Sequence, residues 1–231
     1  MIVADKPLNF TVSDDIKSTN FRIKASAKAF SILSSNLYMD TKLAITREIS
    51  CNAMDSHVSA GKATEPIQVH LPNSLEPYFS VLDNGTGMSP HQVNTIYTTY
   101  FESDKTGSND LTGCMGLGSK SPFAYTDQFT VESRYNGIKY TYNAHKDKNG
   151  LPSIALLGQV ETQECNGVRV SFPVKSSDFW EFINKAQEVL CWFDVKPIVT
   201  GAYNFVLDSR EYMRRTPKYA LRKKREDNSH V

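Results

Sequence analysis

Three side chains with oxygen donors follow one another at helical spacing in the stretch 41–60. They are Glu48, Asn52 and Asp55, at positions i, i+4 and i+7. At about 100° per residue, these positions fall within roughly 60° of one another on a single helix face. An amide oxygen binds Mg²⁺ without adding charge, and a carboxylate can activate a water molecule as a general base. Taken alone, the helix is more typical of a plain solvated polar face than of a binding site.

A second motif follows an apolar stretch that ends at Asp83. Gly85 and Gly87 come next, followed by Met88. Glycine tolerates positive φ and allows a flat ligand to approach the backbone closely. A carboxylate at the end of a strand can accept a hydrogen bond from an exocyclic amine such as that of adenine, which makes a selective contact. The same string is also common in simple turns, so this motif alone decides nothing.

A third motif is rich in glycine and opens a helical pattern. Its residues are Gly113, Gly116, Leu117, Gly118, Ser119 and Lys120. Free backbone N–H groups at such a start form an anion site. A Walker A loop does not fit, because Ser119 separates Gly118 from Lys120 and the preceding residues predict a loop rather than a strand. A dinucleotide-binding Rossmann motif does not fit either, because no βαβ unit surrounds these glycines.

In this order and spacing, the three motifs resemble those of the GHKL ATPase superfamily, which includes gyrase B, the Hsp90 chaperones, histidine kinases and MutL. The resemblance implies an ATP site with Mg²⁺. It implies that Glu48 is the general base that orients water, that Asn52 is the Mg²⁺ ligand and that Asp55 supports the nucleotide pocket. It also implies that Asp83 binds the adenine amino group, next to Gly85, Gly87 and Met88.

The same resemblance assigns the remaining contacts. The backbone from Gly113 to Ser119 would wrap the phosphates. Lys105 resembles a lysine in the lid of the MutL branch and would reach a phosphate, and Lys120 is a second candidate for that role. Many members place a threonine beside the adenine after a late glycine, and here Val168 stands at the matching position, without a hydroxyl group.

A closer resemblance is to the N-terminal domain of the RIIA-like family of large tailed phages. It spans about residues 20–175, and its most distinctive string is the run at 116–125, Gly-Leu-Gly-Ser-Lys-Ser-Pro-Phe-Ala-Tyr. It implies a role in lysis timing or in resisting host defences, in the host cytoplasm or at the periphery of the inner membrane.

The elements that must position these motifs follow from apolar periodicity. Helices are predicted at 27–37, 41–60, 90–97, 116–125 and 178–192. Strands are predicted at 10–12, 21–23, 66–71, 78–82, 128–135, 138–145, 153–160, 167–174 and 197–200. Asn136–Gly137 predicts a type I′ hairpin, and residues 98–115 predict a long functional loop, an ATP lid.

This order predicts an α+β fold, a two-layer sandwich of Bergerat (GHKL) type. Its mixed, mostly antiparallel sheet would have helices on one face. We predict an ATP-binding domain at 1–205 and a basic tail or linker at 206–231. From Arg210 to Val231 there are eight Lys or Arg and three Asp or Glu, a charge of +5 in a chain whose net charge is +1. The tail is either a solvated end or linker, a contact for anionic membrane, or a contact for nucleic acid.

Composition excludes several classes of protein. No apolar run is long enough to cross a bilayer, and residues 1–10 lack the pattern of a signal peptide. The four cysteines are scattered and form no CxxC, so we expect reduced thiols; the five histidines lack zinc-site spacing.

Three functions remain to be weighed. The first is a slow ATPase or ATP-gated switch that acts on a phage or host protein, with ATP-induced homodimerisation as an option. Slow hydrolysis is expected because a catalytic cation from a following domain has no room after residue 200. The second is a non-catalytic protein that engages or inhibits a host ATPase or defence factor. A histidine kinase is disfavoured, because no helical dimerisation segment bears a phospho-accepting histidine.

Overall fold

The computed structural model describes residues 24, 26–33, 38–100, 116–203 and 205–207, together with the backbone of 212–215 and 220–222. The predicted strands at 10–12 and 21–23, most of the predicted lid, Lys105 and Gly113 lie outside these residues. The α-helices, in chain order, are α1 (Ala27–Ser31), α2 (Thr41–Ser59), α3 (Pro90–Gln92) and α4 (Phe179–Leu190). The strands are β1 (Gln68–His70), β2 (Tyr78–Leu82), β3 (Gln128–Tyr135), β4 (Ile138–Lys146), β5 (Pro152–Glu161), β6 (Gly167–Pro173), β7 (Ile198–Thr200), β8 (Tyr212–Arg215) and β9 (Ala220–Arg222).

Strands β1 to β7 form one sheet in the order β5-β4-β3-β6-β2-β1-β7. All neighbours in this sheet are antiparallel except β1 and β7, which are parallel. Helices α2 and α4 pack on the sheet through one hydrophobic core, in which Phe79, Phe172 and Phe182 lie with ring centroids 5.5–5.8 Å apart. The predicted α+β architecture with a mixed, mostly antiparallel sheet is confirmed.

Local signals explain where α2 begins and ends. The Asp40 side chain accepts a hydrogen bond from the Leu43 N–H at 3.0 Å, as an N-cap does, and Lys185 of α4 pairs with the same carboxylate at 2.7 Å. Gly61, just past the last turn, has a φ of +73°, which favours glycine. The predicted helix at 41–60 is confirmed to within one residue.

Other helix predictions differ from the structure for physical reasons. The segment predicted at 90–97 is α-helical only over α3 and continues as a π-helical turn at Val93–Tyr97. There the hydroxyl groups of Thr95 and Thr98 donate hydrogen bonds to the backbone carbonyl oxygens of His91 and Asn94. The segment predicted at 116–125 is a 3₁₀ helix, Gly118–Ala124. Pro122 lies inside it and has no N–H for an α-helical bond. At the N-terminus, the described part of the predicted helix 27–37 is α-helical only over α1.

Five strands and one turn of the sheet match their predictions closely. Strands β2 and β3 have the predicted bounds, β4 and β6 differ by one residue at one end, and β5 differs by one residue at each end. Asn136 and Gly137 have φ of 51° and 78°, as a type I′ turn requires. Within the predicted basic tail, β8 and β9 pair as a separate antiparallel hairpin. No helix within the described ranges has the length and apolarity to cross a bilayer.

Candidate functional site

The structure brings the first and third motifs together. Gly118, at the start of the 3₁₀ helix, lies against α2, so that a Cβ atom at this position would be 2.6 Å from Glu48 Oε2 and 3.3 Å from Asn52 Nδ2. Glu48 remains partly exposed and pairs with Arg47, whose Nη2 lies 2.9 Å from Oε1. Asp55, one turn further along α2, is 2% exposed. The three predicted residues of α2 therefore divide into a pair at the glycine turn and a buried carboxylate.

Asp83 is held at the end of β2 by its own turn and by α2. Its Oδ1 accepts hydrogen bonds from Ser56 Oγ at 2.9 Å and from the Gly85 N–H at 2.8 Å. The side chain is only 4% exposed, and this burial raises the pKa of the carboxyl group, while the bonds from Gly85 and Ser56 oppose the rise. The carboxylate is thus fixed before any ligand arrives.

Two residues that sequence reasoning did not assign to the site join α2 to this turn. Ser56 Oγ also accepts a hydrogen bond from the Thr86 N–H at 3.2 Å. His57, fully buried, accepts from the Asn84 N–H through Nε2 at 2.8 Å, and its Nδ1 lies 3.0 Å from the Glu65 carbonyl oxygen. Because Nε2 accepts, Nδ1 carries the proton and donates, so His57 is a neutral ring with one defined tautomer.

Arg134 of β3 braces the same turn from the opposite side. Its Nη2 donates to the Asp83 carbonyl oxygen at 2.8 Å and to Asn84 Oδ1 at 3.0 Å, and its Nη1 pairs with Glu164 at 2.7 Å. The hydrogen bond and charge of Arg134 lower the pKa of Glu164. Lys62 adds a fourth contact, from Nζ to the Asn84 carbonyl oxygen at 2.8 Å. No local sequence signal marks these partners, because each is distant along the chain.

The glycines of the second motif are required by contacts within the protein. A Cβ atom at Gly85 would lie 2.2 Å from Ser56 Oγ and 2.5 Å from the Ser56 carbonyl oxygen. Gly87 has a φ of +67°, and a Cβ atom there would lie 2.2 Å from the Arg134 carbonyl oxygen. The turn is packed tightly between α2 and β3, which leaves no room for side chains at these two positions.

Met88 and Val168 flank this turn through their backbones. The Met88 N–H donates to Ser133 Oγ at 2.8 Å, and that hydroxyl donates back to the Met88 carbonyl oxygen at 2.7 Å. The Asp83 N–H donates to the Val168 carbonyl oxygen at 2.9 Å. Val168, on β6, therefore lies beside Asp83, and Met88, in the loop that follows the turn, is held against β3.

The third motif surrounds a buried cation. Gly116 has a φ of +63°, Leu117 is buried, and the carbonyl oxygen of Ser119 accepts a hydrogen bond from the Tyr97 hydroxyl at 3.2 Å. Lys120 is 5% exposed, and its Nζ donates to the carbonyl oxygens of Thr99 and Gly116 at 2.8 and 2.9 Å. The sequence predicts a phosphate contact for Lys120, whereas in the structure its ammonium group already donates to these two carbonyl oxygens.

The side chains beside the glycine turn suit a magnesium ion that is held mainly by phosphate oxygens and water. Among the residues that the structure describes, no three His, Cys, Asp or Glu side chains cluster in a way that could hold a metal. The amide of Asn52 and the carboxylate of Glu48 adjoin the glycine turn. Mg²⁺ commonly keeps waters and phosphate oxygens and takes only one or two protein oxygens, so these residues fit it.

Comparison with known proteins agrees with this geometry. The model of a family described as "Histidine kinase-, DNA gyrase B-, and HSP90-like ATPase" matches residues 41–167, more than half of the chain. The matched stretch begins with α2, contains all three motifs and ends at the first residue of β6. No curated protein matches the chain.

Proposed function

The chain belongs to the histidine kinase-, DNA gyrase B- and HSP90-like ATPase family, and on this basis we propose that it binds ATP with Mg²⁺ and uses the nucleotide as a slow ATPase or an ATP-gated switch. Members of this family bind ATP, generally with Mg²⁺. The observation that carries the proposal is the contact of Gly118 with Glu48 and Asn52. It joins a glycine turn suited to phosphate to the side chains suited to Mg²⁺ and water.

Each group has a distinct task in this proposal. Asp83 accepts a hydrogen bond from the adenine amino group. The backbone N–H groups around Gly116–Ser119 surround the phosphates, which are anions that such turns bind well. Asn52 would hold Mg²⁺ together with oxygens of the bound phosphates, and the ion would neutralise phosphate charge. Glu48 orients a water molecule and accepts its proton during attack on the terminal phosphate.

Slow turnover is expected from the state of two cations that the structure describes near this site. Arg47 is paired with Glu48, and Lys120 is bonded to two backbone carbonyl groups. A free cation directed at the transferred phosphate can be worth several orders of magnitude in rate in other phosphoryl-transfer enzymes. We therefore expect this chain to bind ATP readily and to hydrolyse it slowly. In this proposal, a partner protein supplies the free cation that rapid hydrolysis needs.

The biological setting we propose is that of an RIIA-like phage protein in the host cytoplasm, possessing a partner in lysis control or counter-defence. The support is the run at 116–125 together with the α2 motif. ATP-induced homodimerisation is part of this proposal. If ATP binds and no conditions yield hydrolysis, the alternative is a non-catalytic protein that engages a host ATPase or defence factor.

Thermal unfolding and hydrolysis together test the proposal. ATP with Mg²⁺ at about 100 times its Kd should raise the free energy of unfolding by roughly 2.7 kcal/mol. Glu48→Ala should retain this shift and abolish whatever slow hydrolysis is measured, whereas Glu161→Ala, on exposed β5, should change neither. The absence of any shift at millimolar ATP would refute nucleotide binding, and rapid hydrolysis by the chain alone would refute the slow switch. Light scattering during the titration reports dimerisation.

A further inference from the structure

Lys120 joins two parts of the chain that are separated in sequence. Its ammonium donates to the carbonyl oxygen of Thr99, after the π-helical turn, and to that of Gly116, before the 3₁₀ helix. Thr99 and Gly116 stand on either side of residues 101–115. An ammonium has three donors and no acceptor, so it can hold two carbonyl groups at once, which an apolar side chain cannot do.

Aromatic rings complete the surroundings of this ammonium. Its Nζ lies 5.9 Å from the ring centroid of Tyr97 and 5.7 Å from that of Tyr100, within the range of cation–π attraction. The Tyr97 hydroxyl donates to the Ser119 carbonyl oxygen, next to Lys120. Phe30 of α1 packs edge-on against Tyr100 at 5.0 Å. The cation is therefore enclosed by the same two segments that it links.

No carboxylate among the described residues pairs with Lys120. Burial accordingly lowers its pKa to about 8, because a charged group loses solvation inside the protein. A buried ammonium without a counter-ion costs stability unless its hydrogen bonds are made. Its presence here therefore points to a purpose that needs the positive charge or the multiple donors.

We propose that Lys120 is a positioning residue that fixes Thr99 and Gly116 and thereby shapes the glycine turn for phosphate, without contacting the nucleotide itself. This inference rests on the proposed ATP site. Gly116 and Gly118 flank Leu117 in that turn, and Gly118 contacts Glu48 and Asn52. A shift of the Gly116 carbonyl group is thus transmitted within two residues to the surface where the phosphates and Mg²⁺ would lie.

A direct phosphate contact makes different demands on Lys120. Its Nζ would have to leave both carbonyl oxygens and the two tyrosine rings, and the carbonyl groups would lose their donor. The positioning role keeps every observed contact in place. The two roles are separable by experiment, because only positioning acts in the absence of nucleotide.

The test uses Lys120→Met, which keeps the apolar stem and removes the donors, with Lys148→Met on the exposed β4–β5 turn as the matched control. Amide hydrogen exchange is measured without nucleotide, and affinities are measured for ATP, ADP and adenosine. We expect Lys120→Met to speed exchange around 97–100 and 116–119 in the free protein. We also expect ATP and ADP affinities to fall by a similar factor of about ten or more, and adenosine affinity to stay within twofold.

The other outcomes are equally informative. Unchanged exchange in the free protein, together with a fall in ATP affinity, would overturn the proposal in favour of direct phosphate contact. An equal fall for all three ligands would overturn it in favour of a general structural role. Lys120→Arg retains a cation but not the compact ammonium, so recovery of ATP affinity in that variant would also count against positioning.

If the wild-type protein binds no nucleotide, the ATP site fails while the exchange experiment still tests the link between Thr99 and Gly116. Should Lys120→Met not fold, Tyr100→Leu removes one of the rings, and unaltered exchange in that variant would oppose the proposal.

Discussion

The adenine assignment of Asp83 predicts a change of base preference rather than a simple loss. Replacement of Asp83 by Asn preserves the shape of the side chain. The amide oxygen can still accept the hydrogen bonds that Oδ1 receives from Ser56 and Gly85. The Gly85 N–H opposes a flipped amide, because two donors would then face each other. The new NH₂ group therefore replaces the second carboxylate oxygen, and it can donate but not accept.

The size of the effect follows from this exchange of acceptor for donor. The adenine amino group would meet another donor, so ATP binding should weaken by about 1–3 kcal/mol, or roughly five- to 150-fold. Inosine triphosphate carries an oxygen in place of that amino group and should gain the contact. Its affinity relative to ATP should therefore rise in Asp83→Asn by at least about tenfold.

The stability of this variant should change little. Burial raises the pKa of Asp83, which means that the fold disfavours its charged form, and the neutral amide removes that penalty. The amide also loses stabilisation that the carboxylate receives from the backbone of Val168. We expect a net loss of no more than about 2 kcal/mol in the free energy of unfolding.

The assay is equilibrium binding of ATP and inosine triphosphate to the wild type, Asp83→Asn and Asp147→Asn. Asp147, in the turn between β4 and β5, is a matched control, because its Oδ1 also accepts two hydrogen bonds, in this case both from backbone N–H groups, at 2.7 and 2.8 Å. The control should leave both affinities unchanged. Unaltered ATP affinity in Asp83→Asn, or an equal fall for both nucleotides in a folded protein, would refute the assignment of adenine to Asp83.

Two further predictions concern the glycine turn and its lysine. Gly118→Ala places a Cβ atom 2.6 Å from Glu48 Oε2, and because the end of that side chain is flexible, the carboxylate should move and single-turnover hydrolysis should fall to the level of Glu48→Ala. Gly158→Ala is the control, because nothing lies within 4 Å of the new atom. Hydrolysis at the wild-type rate in Gly118→Ala would contradict the contact. The lowered pKa of Lys120, about 8, means that unfolding takes up a proton between pH 8 and the ordinary lysine pKa. The free energy of unfolding of the wild type should therefore rise relative to Lys120→Met by about 2 kcal/mol from pH 7.5 to 9.5, and a difference that stays constant in denaturant titrations across this range would show that Lys120 titrates normally.

The predictable parts of the molecule depend on neighbours in sequence. The bounds of β2 and β3 and the Asn136–Gly137 turn follow from local residue patterns, and the structure reproduces them. The 3₁₀ helix at Gly118–Ala124 was predicted only as a short helix, because its glycines and Pro122 weaken the α-helical pattern without specifying its replacement. The parallel pairing of β1 with β7 has no local signal, since it joins Gln68 to Ile198, 130 positions further along the chain.

In the candidate site, too, groups that are close in sequence can be recognised, whereas groups that are distant in sequence cannot. Glu48, Asn52 and Asp55 are recognisable because one helix turn relates each to the next. The supports of Asp83 are not, because Ser56 is 27 positions away and Arg134 is 51 positions away. His57 adjoins the first motif in sequence, yet its role becomes visible only when its ring accepts the Asn84 N–H. The sequence therefore suggests candidates for the groups that would touch the ligand, but it does not indicate the groups that hold Asp83 in place.

The glycines show why the motifs identify the fold more directly than the activity. Gly85 and Gly87 face Ser56 and Arg134, so the protein would need glycine there even in a form that binds no nucleotide. Gly118 is different, because a Cβ atom there would meet the side chains of Glu48 and Asn52 rather than backbone atoms, and these side chains have no evident need of a glycine beside them. A non-catalytic descendant could lose that arrangement and still fold. The retained contact at Gly118 therefore favours a working nucleotide site, and Gly118→Ala tests it with the fold intact.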